Sequence, residues 1–515
     1  MSKPTLALFF GAGAEMAYGL PSGGKFAIDI FRMDVTEDKK TFKDQRQLVN
    51  TRSVYASNWL PLDYLSKPIS SFGKPQYESL VKGSLENKRD KILQYLDKFD
   101  QNVDVHVQKL AAKGLNLKTT FESFPGITFG EVFTHEIKLS SMLGNSNGLF
   151  GSEYFSCFLK ILELGENISV EFKKSIEKIV RALLELLIGA CGEDLVNKLN
   201  DGIFSKKPDN INIFDDLGAI FSLDYKWTGL TGLEYILSSD ATDISSGSSA
   251  EDVITEFGRM ILDDIFAQAL DYQALIDSNW RYLYAPKTDW SKFCKISIFL
   301  HTVRRYIAGI AQSHEMNCSQ GPGYYHDIAD ICTLFECAVI GTTNYNTFIK
   351  EVTENDVIFL NGSVNDFYDP YLNKIIDRNT ADESEHITVP FIFTQSGVKP
   401  LTSVKMSERY VELYNRLKEA DIVCVVGYSF NIDDGHINGM FRSLIEDEQK
   451  TVYIGHYEND PVNETVIKKH YRERLRLEND DNIKILIINK ARISPPENLL
   501  WYEQLYKDFQ NTANQ

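Results

Sequence analysis

The sequence predicts an α/β protein, a doubly wound parallel sheet interrupted by a large, mainly α-helical inserted domain. Two observations carry this. Short, near-continuous apolar runs occur at both ends of the chain: TLALFF at residues 5–10, then CAVIGTT, DVIFLNG, ITVPFIFT, DIVCVVGYS, TVYIGHY and IKILIIN from about residue 337 onward. Runs that do not alternate with polar residues suit strands buried on both faces, as a parallel sheet requires. Between several of them lie segments with apolar residues at helical spacing, and strand alternating with helix is the pattern of βαβ units.

The elements follow in order. TLALFF stops at Gly11, a buried strand feeding a glycine turn. From about residue 35 to 325 the strand rhythm is lost. Long amphipathic segments take over, among them NKRDKILQYLDKFDQNVDVHVQKLAAKG and WSKFCKISIFLHTVRRYIAGIAQS, and these predict packed helices. The serine-rich SSDATDISSGSSAED (238–252) predicts a mobile loop, because its composition offers little apolar surface to bury. Later, MSERYVELYNRLKEA (406–420) sets Tyr410, Leu413, Tyr414 and Leu417 on one helical face, with charge opposite. The expected organisation is a discontinuous sheet domain, 1–34 plus 328–515, with a helical domain at 35–327 inserted where its ends lie close together.

Composition narrows the function classes. At 515 residues the chain exceeds one ordinary domain. Its 43% hydrophobic and 24% charged residues suit a soluble globular protein. A formal net charge of -18 argues against a broad surface for nucleic acid or anionic lipid. The seven cysteines are scattered and form no C-x-x-C pair, which fits free thiols in a reducing cytosol better than a disulfide frame or a zinc ribbon. The apolar run Leu6–Phe10 is short for a signal-peptide core, and Ile179–Cys191, which includes Arg181 and Glu185, is short for a membrane span. A cytoplasmic protein without metal or membrane is expected.

The opening strand runs into GAGAEMAYGLPSGGKFAIDIF. Gly11 and Gly13 fit a tight turn that brings backbone N–H groups against a phosphate at a helix start. A lone Gly-x-Gly also serves ordinary strand-to-helix turns, and Met16 stands where a third glycine is usual. Three later segments stand at strand ends, where ligand groups belong in an open parallel sheet: GTTNYNTFIK (341–350), FLNGSVND (359–366) and CVVGYSFNIDDGHIN (424–438).

Taken in order with GAGAE…YGLPSG, these segments resemble the sirtuin superfamily, in particular bacterial sirtuin-like domains, over the first ~35 and about 150 C-terminal residues. The resemblance implies a Rossmann-like, NAD-binding sheet and a nicotinamide-releasing NAD glycohydrolase, an effector of bacterial antiphage or abortive-infection defence that a partner activates. It assigns Asn344 and Asn361 to the catalytic centre. It assigns Gly11, Ala12, Gly13, Glu15, Pro21, Thr343, Asn346, Gly427, Ser429, Asp434 and His436 to NAD contacts. Two departures matter: Asn361 stands at the family's histidine and Asn346 at its aspartate. An amide takes up no proton near neutral pH, so Asn361 cannot serve as a general base. Protein deacetylation is disfavoured, since the cysteine zinc module and that histidine are both absent.

Several residues carry two readings. Glu15 either completes the site or points away as a first-turn helix residue. His436 is either a structural histidine at a helix start or a base. Asp433 and Asp434 are first helix-capping residues and second a ribose contact. His301 and His314 show no metal-ligand spacing. For the whole chain, the alternative to hydrolysis is a catalytically silent NAD- or nucleotide-binding subunit that scaffolds a partner. A third possibility is an unrelated nucleotide-binding domain. A homo-oligomer or a partner protein encoded nearby is expected, and direct nucleic-acid binding is not.

Overall fold

The computed structural model of the chain describes residues 3–21, 23–132, 148–164, 168–203, 211–212, 222–223, 229–238, 242–270, 273–353, 355–392, 403–431, 434–458, 463–495 and 497–513. It falls into two compact units. One comprises 1–22, 33–72 and 273–515; the other comprises 23–32 and 73–272. The sheet-bearing unit thus takes in 33–72 and 273–327 beside the terminal segments, and 23–32 goes with the helical unit.

Six strands form the main sheet: β1 (Thr5–Phe10), β2 (Glu336–Thr342), β3 (Val357–Phe359), β4 (Ile422–Val426), β5 (Val452–Tyr457) and β6 (Ile483–Ile488). Every neighbouring pair is parallel, in the order β6-β5-β4-β1-β2-β3. The chain builds outward from β1 to β3, then starts again at β4 on the other side of β1 and builds outward to β6. The direction of construction therefore reverses between β1 and β4. In open α/β sheets, ligands bind outside the carboxyl ends of the strands at that reversal.

Burial explains why these runs are strands. Leu6, Leu8 and Phe10 face one core with Ile328, Trp501 and Leu505, while Ala7 and Phe9 face another with Leu413, Phe441 and Leu444. Each side of β1 is covered by helix, so alternation with polar residues would leave charges in a core. Burying one such side chain contributes about 1.5–3 kcal/mol. The register pairs Phe10 with both Val426 and Thr342, which brings the ends of β1, β4 and β2 level.

One predicted strand is not in this sheet. Among the described residues of ITVPFIFT, Val389–Pro390 forms the strand, and it pairs antiparallel with Asp366–Asp369 in a separate three-stranded sheet. Pro390 has no N–H and cannot feed a central ladder. The run is apolar because Val389, Phe391 and Ile392 are fully buried, whatever their ladder.

The second unit is helical among its described residues apart from a two-stranded ladder of Ile211–Asn212 with Ser222–Leu223. Its largest helices are Val170–Ile203 and Ala250–Ala269. The predicted serine-rich loop is built differently: Ser245–Ser248 make a turn, Ile244 is buried, and the Ser249 hydroxyl accepts from the Asp252 N–H at 3.2 Å to cap Ala250–Ala269. Its residues 239–241 lie outside the described ones. Serine here is a helix-start residue. No helix among the described residues is long and apolar enough to cross a membrane.

Candidate functional site

The site is built where β1 and β4 end. The Gly11 N–H donates to the Val426 carbonyl at 3.0 Å and the Gly13 N–H to the Gly427 carbonyl at 2.8 Å. Backbone here lies on backbone. A Cβ at Gly11 would stand 2.6 Å from the Gly427 oxygen, and one at Gly13 would stand 2.9 Å from the Gly427 Cα. Gly427 has φ +69°, and a Cβ on it would meet the Ala14 nitrogen at 2.1 Å. The glycines are thus required by the closure of two chain segments more than 400 residues apart. The N–H groups of Gly11 and Gly13, the expected phosphate donors, are both engaged by the backbone at the end of β4.

Beside this closure opens a cavity of about 780 Å³. It runs along the carboxyl ends of the strands on the β4 side. Gly13, Met16 and Ala17 follow β1, Gly427, Tyr428 and Ser429 follow β4, Gly455, His456 and Tyr457 end β5, and Asn489, Lys490 and Arg492 follow β6. Asn317, Gly321, Pro322, Tyr324 and Tyr471 complete the wall. Aromatic faces and two cationic side chains thus share one cleft. Arg492 is anchored by Asp327 at 2.8 and 3.1 Å, and Asp327 also accepts from the Trp501 indole at 2.7 Å. Burial holds the His456 imidazole below its ordinary range, and its Nδ1 meets the Tyr471 hydroxyl at 3.1 Å.

On the other side of β1 the strand ends close over a buried polar chain. The Asn344 amide nitrogen donates to the Gly11 carbonyl at 3.0 Å and to the Tyr325 hydroxyl at 2.9 Å. Tyr325 donates in turn to Glu15 Oε1 at 3.2 Å, and the Asn346 amide donates to Glu15 Oε2 at 3.1 Å. Glu15, Asn344 and Asn346 are 6%, 5% and 7% exposed. Burial pushes the Glu15 carboxyl up to about 7, against the opposing hydrogen bonds from Asn346, Tyr325 and Asn344. Glu15 therefore points away from the cleft and into the protein.

The other predicted residues scatter around these two regions. Gly13, Gly427 and Ser429 line the cavity; Ala12 is exposed and Pro21 half-buried at its margin in sequence. Thr343 is buried, its N–H on the Phe10 carbonyl at 3.2 Å. Asn361 is 1% exposed beyond β3. Neither Asn344, Asn346 nor Asn361 lines the cavity. Asp434 holds the N-cap position of Gly435–Glu446 without a side-chain cap bond; its carboxylate takes the Tyr428 hydroxyl at 2.6 Å instead. Its expected capping partner Asp433 lies outside the described residues. His436 is exposed on the same helix and is not a cavity residue. Among the described residues no cluster of His, Cys, Asp or Glu could hold a metal ion.

Sequence reasoning missed His456, Tyr457, Asn489, Lys490 and Tyr324. The first four directly end or follow two predicted strands, TVYIGHY and IKILIIN, so the rule that ligands gather at strand carboxyl ends could have found them. Comparison with protein-family models, curated proteins and solved structures finds no match for this chain.

Proposed function

We propose that the sheet-bearing unit binds NAD in the cleft along β1, β4, β5 and β6 and slowly releases nicotinamide from it. The observation that carries the reading is the position of the cavity, at the strand ends where the sheet reverses direction and where two glycine turns interlock. Three features support it. Its volume falls within the roughly 300–1,000 Å³ of ordinary ligand pockets. Lys490 and Arg492 offer charge complementary to a pyrophosphate, and the tyrosines offer apolar faces to a base and riboses. The ordered motifs that resemble sirtuins supply the choice of NAD among nucleotides.

In this reading the chain contributes binding and orientation. Energy from the adenosine half favours distortion at the nicotinamide ribose, and a bond that breaks dissociatively needs little help from a base. Turnover is expected to be slow. A second reading, a silent NAD-binding subunit, is favoured by one observation: the Asn344 amide nitrogen is already committed to Gly11 and Tyr325.

The two readings separate in one assay. Purified protein, alone and with the products of neighbouring genes, is incubated with NAD, and NAD binding and free nicotinamide are followed. Hydrolysis predicts nicotinamide release above that from NAD in protein-free buffer, and Asn344→Ala weakens it only through the loosened turn. Binding without release under every condition makes the silent subunit correct, and absence of NAD binding removes both.

A further inference from the structure

Glu15 is the residue to which the sequence gives two readings, a part of the site or a first-turn helix residue pointing away. It replaces a small residue of the glycine turn, sits between cavity-lining Gly13 and Met16, yet turns inward to join β1 to β2. We propose that Glu15 is a positioning residue that carries a proton when the cleft binds its anionic dinucleotide, holding Asn344 and the Gly11 turn in place in its neutral form and opposing the ligand once ionised. This rests on the nucleotide-binding reading above.

Burial without a neighbouring cation favours the neutral form, against two hydrogen bonds donated to the carboxyl. Glu15 is 6% exposed, and its hydrogen-bond partners are a phenol and an amide. No Lys or Arg pairs with it among the described residues. The side chains facing it or its partners from each element are Tyr325, which stacks on Tyr18 at 5.5 Å; Asn344 and Asn346 after β2; and Cys318 of Glu315–Gln320. Burial pushes the Cys318 thiol up to about 11, with Glu15 and Glu351 adding to the rise. His326 touches only the far side, through the Tyr18 hydroxyl at 3.1 Å. None of these is a cation that would hold a buried carboxylate, and such a group takes up a proton instead.

A second observation points to the same proton. The Asn346 Oδ1 is buried and has no hydrogen-bond partner among the described residues. Amide orientation is an assignment, and turning this one over sets Oδ1 against Glu15 Oε2. In that orientation a protonated carboxyl donates to Oδ1, where in the other the Asn346 amide donates to the carboxyl. The chain Asn346–Glu15–Tyr325–Asn344–Gly11 then has its acceptors filled, and Gly11 is fixed against β4. Ionised, Glu15 would place a negative charge in low dielectric two residues along the chain from Gly13, which lines the cavity.

The test uses the full chain and Glu15→Gln, which mimics the neutral form. The wild-type carboxyl is raised in the folded state, so its stabilising contribution is complete below about 4.5 and is lost as pH rises to about 7. Without ligand, the wild type should therefore lose thermal stability relative to Glu15→Gln across that window and hold a constant difference above it. With NAD, calorimetry at pH 6 and pH 8 should show wild-type affinity falling about tenfold, as the competent fraction falls, and Glu15→Gln affinity unchanged. His456 in the cleft is common to both proteins, so the difference between them isolates Glu15. Parallel pH profiles overturn the proposal. Should the variant not fold, a carbon-13 carboxyl titration of the wild type decides: a Glu15 midpoint in the ordinary glutamate range overturns it equally. NAD binding at no pH, with the ligand-free profile as expected, overturns the nucleotide reading and the positioning role while leaving the proton on Glu15.

Discussion

The two flanks of β1 differ in kind. Toward β4, the strand ends separate into a cavity of about 780 Å³ with aromatic and cationic walls. Toward β2, they close on a buried, hydrogen-bonded chain of Glu15, Tyr325, Asn344 and Asn346. Both flanks share one short turn, Gly11–Gly13: Gly13 lines the open side and the Gly11 carbonyl anchors the closed side. The difference teaches that polar residues at the ends of parallel strands divide into those that meet a ligand and those that hold the backbone which meets it. Asn344, chosen by motif for chemistry, belongs by its hydrogen bonds to the second kind.

Substitutions should separate the flanks, and the largest effect belongs to the turn they share. Gly427→Val puts a β-branched residue at φ +69° with its Cβ 2.1 Å from the Ala14 nitrogen. We expect a loss of about 3 kcal/mol or more in chemical denaturation, and loss of ligand binding with it. Next comes the anchor of the cleft's far wall. Asp327→Ala leaves Arg492 and the Trp501 indole without their acceptor, and a loss of about 3 kcal/mol is expected for so buried a pair. A wild-type denaturation midpoint in that variant would show that the wall does not depend on the pair.

Asn344→Ala probes the closed flank. It removes the donor to Gly11 and Tyr325, and denaturation should report about 1–3 kcal/mol. NAD affinity should weaken several-fold through the loosened turn; an unchanged stability would mean that the buried chain does not hold it. The smallest effect belongs to the exposed Lys490 on the open flank. Lys490→Ala should leave stability within about 0.5 kcal/mol. It should lower affinity for an anionic nucleotide a few-fold, by a margin that shrinks as salt is raised, and equal losses at all salt concentrations would contradict a charge role.

How far these two flanks were legible in the sequence follows from the range of the interactions. TLALFF, CAVIGTT, DVIFLNG, DIVCVVGYS, TVYIGHY and IKILIIN are strands because burial on both faces leaves a local trace, the unbroken apolar run. ITVPFIFT leaves the same trace for another reason, burial beside a small antiparallel sheet, and Pro390 was the local sign against it. The glycine turns were visible, but what they press against was not, because Gly427 stands more than 400 residues from Gly11. Glu15 is the clearest case. Its partner Tyr325 is 310 residues away in a segment without motif, so whether it faced ligand or core could only be settled by the fold. His456, Tyr457, Asn489 and Lys490 were legible and overlooked, since their positions after β5 and β6 mark them without any motif.

The central claim is that the reversal of the sheet between β1 and β4 creates the ligand site. Amide hydrogen exchange with and without saturating NAD tests it at the level of segments. Slower exchange concentrated at 427–429, 455–458 and 489–492, with the rest of the sheet unchanged, is the predicted result. Protection confined to the helical unit, or none at these three strand ends while NAD is bound, would contradict it.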